Sequence, residues 1–158
     1  VALNAPFSGE PVVGTWTDGV TALANGLLQS TTAQATGALT GLTTEVDVPG
    51  CSISVTATGA HAFAIVLGCW DVRKTNATSC QAVGHLSVDG TDAVGAPSAW
   101  DPTGSTFIDR QTMTYQWPVP LAAGAHVLKL RIIRQGGTGA LNCEQGGSAI
   151  TCILFDVP

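Results

Sequence analysis

An all-β fold, a jelly-roll-like antiparallel β-sandwich preceded by an N-terminal arm with a short helix, is predicted by three observations. From Thr43 onward, turn signals recur about every ten residues, and the segments between them have strand composition. Within them Ile53, Val55 and Ala57 alternate with Ser52, Ser54, Thr56 and Thr58, the period of a sheet with one buried and one wet face. At the C-terminal end, two apolar segments, 126–134 and 149–157, flank a polar loop at 135–147 whose five glycines permit a chain reversal.

Taken in order, residues 1–42 read as an arm and connector, and residues 43–158 as the sandwich domain. The arm is rich in Ala, Gly, Thr and Ser and lacks alternation. Val20, Leu23, Ala24, Leu27 and Leu28 nevertheless fall at helical spacing, with Asp18 placed to cap the stripe and Gly26 weakening it. Trp16, Val20, Leu23, Leu27 and Leu28 are the candidate docking residues of this arm. Residues 31–41 read as an extended, flexible connector. Strands are expected at 43–48, 52–58, 61–70, 82–88, 105–117, 126–134 and 149–157. Pro49-Gly50, Asp89-Gly90 and Ala123-Gly124 are expected to form hairpin-like turns, and 96–104, with its two prolines, a longer loop. Seven or eight strands in two packed sheets make a sandwich; a closed barrel is the alternative.

Two of these strands carry a further message. Segments 62–67 and 150–155 are apolar on both faces, so each lies inside a packed sheet or at a subunit interface. Composition points the same way. Only 11% of the 158 residues are charged, against roughly 25% in an ordinary soluble domain. Apolar residues make up 45%, and mean hydropathy is +0.31. A monomer of this composition has too few charges to cover itself, so burial against neighbours is expected. Phe63, Ile65, Leu67, Ile153 and Phe155 are the candidate residues of that interface.

Several function classes lose support. A net charge of −5, with Lys129, Arg131 and Arg134 supplying half of the six basic residues, offers no footprint for nucleic acid. The longest apolar run, 62–70, is about half the length of a membrane-spanning helix, and the N-terminus shows no basic-then-apolar leader, so neither a membrane nor a signal-peptide route is expected. His61, His85 and His126 lie far from one another and from any cysteine pair at ligand spacing, so no metal is expected. Asp89, Asp92, Asp101 and Asp109 form the densest acidic group, but turn and loop chemistry accounts for Asp89-Gly90 and Asp101-Pro102, and no Glu or aromatic cluster joins them. No nucleophile elbow is present, and Gly136-Gly137-Thr138-Gly139 lacks the Lys and following helix of a phosphate loop. The chain therefore reads as a non-enzyme without cofactors. Asn76-Ala77-Thr78 is a glycosylation sequon that matters only in a eukaryotic secretory pathway.

Five cysteines leave at least one thiol free or paired between chains. Cys69 with Cys80, and Cys143 with Cys152, each bracket a loop, and such a bridge would contribute about 3 kcal/mol. Buried reduced thiols serving as small hydrophobes are the other reading. Of the tryptophans, Trp70 ends an apolar strand and reads as core, whereas Trp100, in a proline-flanked loop, is a candidate surface contact.

Three segments carry a resemblance: Val48-Pro49-Gly50-Cys51-Ser52-Ile53-Ser54-Val55, Leu86-Ser87-Val88-Asp89-Gly90-Thr91, and Leu121 through Leu130. Together they resemble tailed-bacteriophage virion proteins with a jelly-roll domain, which is similar to the tumour-necrosis-factor and complement globular-head folds. Trp16-Thr17-Asp18-Gly19-Val20-Thr21-Ala22 resembles, without its Glu, an opening found in phage tail and fibre proteins. The resemblance covers roughly residues 12–157. It implies a homotrimer around a threefold axis, made in the host cytoplasm and located on the virion. A short chain with an arm suits a capsid decoration protein bound to the major capsid protein on the outer capsid surface. The alternative it implies is a minor tail or fibre receptor-binding protein that recognises host glycans, with Trp100 and the 135–147 loop as contacts.

Overall fold

The computed structural model describes residues 28–58, 62–101 and 110–156, and for Leu28, Trp100 and Asp101 the backbone alone. Two five-stranded antiparallel sheets form the sandwich. The first orders β1 (Leu28–Gln34), β10 (Ala149–Phe155), β3 (Ala62–Lys74) and β7 (Arg110–Leu121), with β9 (Leu141–Cys143) paired to the far end of β3. The second orders β2 (Val46–Ala57), β8 (Gly124–Gly137), β4 (Cys80–Val88) and β5 (Thr91–Asp92), with β6 (Ser98–Asp101) paired to β4. The sheets close on a common core, so the barrel alternative is set aside.

Alternation sets which side chains enter that core. Cys51, Ile53, Val55 and Ala57 point inward from β2, and Leu128, Leu130 and Ile132 from β8. Ala64, Val66, Trp70, Ile150, Cys152 and Leu154 meet them from the other sheet. Trp70 is fully buried, as expected from its place at the end of an apolar run. Its indole stands edge-on to Trp117 at 5.8 Å and 75°, a preferred aromatic geometry. Both indole N–H groups are satisfied inside: Trp70 donates to the Arg131 carbonyl at 3.1 Å and Trp117 to the Gly95 carbonyl at 2.9 Å. Gly68 and Gly84 make room for this pair. A Cβ on Gly68 would lie 2.7 Å from Trp70 and 2.9 Å from Trp117, and one on Gly84 would lie 2.7 Å from Trp70.

Four expectations are corrected. The sandwich begins upstream of Thr43: β1 pairs along its whole length with β10, Leu28 opposite Phe155 and Gln34 opposite Ala149. Leu28 is thus a strand residue rather than the end of a helical stripe, and residues 31–34 are ordered sheet rather than connector. Second, Pro49-Gly50 makes no hairpin; it is a bulge inside one long β2, where the register to β8 shifts between Asp47 and Ser52. Third, Trp100 lies in β6, opposite Gln81, rather than in a loop. Fourth, none of the five cysteines is in a disulfide, so neither Cys69–Cys80 nor Cys143–Cys152 is bridged. Geometry explains this. Cys143 and Cys152 lie opposite Val72 and Val66 of the same strand, about 20 Å apart at strand rise, whereas a bridge needs Cα atoms within about 7 Å. Cys80 is buried in the core from one sheet, while Cys69 belongs to the outer face of the other.

The turn at Asp89-Gly90 is as read. Both residues take positive φ, 52° and 87°, which suits the two-residue hairpin joining β4 to β5. Pro118 and Pro120 sit on β7, the end strand of its sheet among the described residues, opposite Ile65 and Phe63. Trp16, Val20, Leu23, Leu27 and His61 lie outside the described residues, as does the expected N-terminal helix.

Candidate interaction surface

The two outer faces of the sandwich differ sharply in chemistry. On the β1-β10-β3-β7 sheet, the outward residues line up in four cross-strand rows. The first joins Phe155, Phe63 and Pro120; the second Ser30, Ile153, Ile65 and Pro118. The third joins Thr32, Thr151, Leu67 and Gln116, and the fourth Gln34, Ala149, Cys69 and Thr114. None of these residues is charged. The five residues singled out from sequence, Phe63, Ile65, Leu67, Ile153 and Phe155, are brought together as one stripe on the two central strands.

The stripe remains open to solvent. Phe63, Leu67 and Phe155 retain 37%, 39% and 37% of their surface, while Ile65 and Ile153 are half-buried between them. The Phe63 and Phe155 rings pack against each other with centroids 6.2 Å apart. Beyond Leu67 the face dips into a concavity of about 570 Å³ lined by Leu67, Cys69, Thr114, Gln116, Ala149 and Thr151. Thr32 and Thr151 bond to each other through their hydroxyls at 2.9 Å, which reduces their demand for water. Large exposed apolar side chains scattered singly need no explanation, but a contiguous stripe of them marks a contact surface.

The opposite face concentrates charge. Arg131 on β8 reaches Glu45 at 2.8 Å, Asp92 at 3.0 Å and Asp47 at 3.4 Å, and Lys129 pairs with Asp47 at 2.8 Å. His85 on β4 contacts Glu45. The donor atoms of Glu45, His85 and Asp92 lie within 4.8 Å of one another, a set whose chemistry suits a metal ion. The Arg131 guanidinium sits on both carboxylates and already supplies positive charge there, so the group is accounted for as an ion-pair network. Sequence reading missed it because Glu45 lies 40 residues from His85 and outside the acidic group. It also missed the buried Asp71 carboxylate, which Arg110 grips through Nε and one terminal nitrogen.

The thiols are protected rather than activated. Burial, reinforced by the neighbouring Cys143 and Cys69, pushes Cys51 up to about 11. Burial likewise raises Cys143 and Cys152. Cys69, the most accessible, is raised by partial burial and by the nearby Asp71 carboxylate, and its Sγ donates to the Gly147 carbonyl at 3.1 Å. None has the electropositive setting of a reactive cysteine.

No family model matches the chain, and no curated protein matches it. Solved structures do. The Eiger TNF of S. frugiperda superposes with a TM-score of 0.51 at 13% identity, covering 83% of this chain and 95% of that one. Murine APRIL superposes with a TM-score of 0.47 at 12% identity, covering 80% and 98%. The VP2 subviral particle of infectious bursal disease virus gives 0.44 at 13% identity, covering 82% of this chain and 33% of that one. At these identities the likeness is one of fold: the chain is a TNF-like jelly-roll sandwich.

Proposed function

We propose that this chain is a structural protein of a bacteriophage particle: a homotrimeric capsid decoration protein that binds the major capsid protein on the outer capsid surface. The observation that carries the proposal is the set of four uncharged cross-strand rows on the outer face of the β1-β10-β3-β7 sheet. Phe63, Ile65, Leu67, Ile153 and Phe155 form a stripe that a second copy would cover, while the charged face around Arg131 stays wet. The phage setting rests on the segment resemblances in the sequence, and the low charge content agrees with a protein that spends its life packed against neighbours.

The mechanism is mechanical rather than chemical. Burial of the stripe joins the copies, and the segment before β1, with Trp16, Val20, Leu23 and Leu27, carries the contact to the capsid. Light scattering on the purified protein should give the mass of a trimer, and mixing with undecorated capsids should deplete it from the supernatant on sedimentation. Deleting residues 1–27 should leave the trimer intact and abolish co-sedimentation. A monomer at every concentration would refute the seam. A trimer that ignores capsids and coats host cells would replace decoration with the receptor-binding role and direct attention to Trp100.

A further inference from the structure

His126 opens β8 at the end of the sandwich where two turns meet, and its ring is largely covered, with 13% of the side chain accessible. Both ring nitrogens face oxygen acceptors. Nδ1 lies 2.7 Å from Oδ2 of Asp89, in the turn between β4 and β5, and Nε2 lies 2.8 Å from the carbonyl of Ala122, in the turn between β7 and β8. Neither oxygen can donate. A neutral imidazole has one N–H and one lone pair, so either tautomer would leave a lone pair directed at an acceptor. The doubly protonated ring satisfies both contacts at once.

Asp89 is held for this role. Its other oxygen, Oδ1, accepts the Val127 N–H at 2.8 Å, and its own N–H donates to the Val127 carbonyl at 2.9 Å. The carboxylate is therefore fixed beside β8 whatever the state of the ring. Across the sheet, the register partner of His126 is Val55, and its chain neighbours are Ala125 and Val127, all without charge. Among the described residues, Asp89 is the charged group that acts on the ring.

We propose that a proton on His126 is a structural ligand: the imidazolium clamps the Asp89-Gly90 turn to the turn at residues 122–123, and this end of the sandwich loosens as the pH rises. The direction of titration agrees. The Asp89 hydrogen bond and then the Ala122 carbonyl raise His126 above its ordinary value, while the Val127 N–H and then the His126 bond lower Asp89. A raised histidine contributes stability that is complete below its unfolded value of about 6.5 and is lost as pH climbs through the native value. A lowered aspartate contributes stability that is lost as pH falls through its own native value. The clamp is thus closed between the two and opens on the alkaline side by losing the histidine proton.

The test is a nitrogen-15 titration of the imidazole side chains in the full chain, with thermal melts over the same pH series. The expected result is a His126 ring protonated on both nitrogens below pH 6.5, a midpoint above about 6.5, and a fall of that midpoint toward 6.5 in Asp89→Asn. The wild-type melting temperature should step down through the His126 midpoint, and His126→Gln should lack that step. Should His126→Gln fail to fold, the Asp89→Asn titration decides alone. A ring with a single N–H below pH 6.5, a midpoint unmoved by Asp89→Asn, or a melting step retained in His126→Gln would overturn the proposal.

Discussion

Replacing Ile153 with Asp places one carboxylate per copy in the middle of the apolar stripe, opposite Ile65 and Ser30. In an isolated chain the cost is small: the side chain already sits at the water boundary, so about 1 kcal/mol of strand preference is at stake. The assembled molecule responds differently. Fully burying a side chain of this size gains about 1.5–3 kcal/mol. Phe63, Leu67 and Phe155 each keep somewhat over a third of their surface, and the two isoleucines less. Completing the burial of all five is therefore worth about 3–4 kcal/mol per copy. An unpaired carboxylate trapped in such a seam costs about 3–5 kcal/mol, which cancels that gain. Each seam should weaken by roughly a hundredfold or more, since 1.4 kcal/mol is a factor of ten. Sedimentation velocity at micromolar protein should show monomers, with a melt close to that of the isolated fold. Val127→Asp, on the charged side of the molecule where Val127 is already 39% exposed, serves as the control and should leave the mass unchanged. An Ile153→Asp protein that sediments as wild type would refute the assignment of this face as the seam.

Other consequences are equally direct. Gly68→Ala would drive a methyl to within 3 Å of Trp70, Trp117 and Leu130, and overpacking of this kind should cost about 1–3 kcal/mol in urea denaturation. Timed alkylation at pH 8 followed by mass mapping should label Cys69 first. Cys51, fully buried and pushed up to about 11, should react only at the rate of unfolding.

What could be read from sequence follows from what is local. Alternation at residues 51–57 is a period-two signal, and it placed Ile53 and Val55 inside. The doubly apolar runs at 62–67 and 150–155 located the stripe, because alternation sends every second apolar residue of each run outward, and Phe63, Leu67 and Phe155 stay exposed there. Local reading failed where partners are distant. Thr31, Thr32, Ala33 and Gln34 look like linker by composition, and become strand because β10 offers them a complete hydrogen-bonding edge 115 to 121 residues away. Pro49-Gly50 has the chemistry of a turn, yet the apolar residues on both sides pair with the same β8, so the dipeptide is absorbed as a bulge. The clamp at His126 and the network at Arg131 left no sequence trace, since the first needs Asp89, 37 residues from His126, and the second joins β2, β4, β5 and β8, which only the folded sheet brings together.

The two prolines of β7 bear on how large an assembly can grow. A sheet extends without limit when the last strand of one copy receives the first strand of the next, and that requires a full row of donors on both edges. Pro118 and Pro120 remove two donors, one residue apart, from the terminal strand. A neighbour's β1 edge would therefore meet a row broken at residues 118 and 120, which works against full-length edge pairing and growth into a filament. In the proposed assembly, contact would then fall to the broad faces, where a rotation that closes on itself exhausts the available surface and bounds the count of copies.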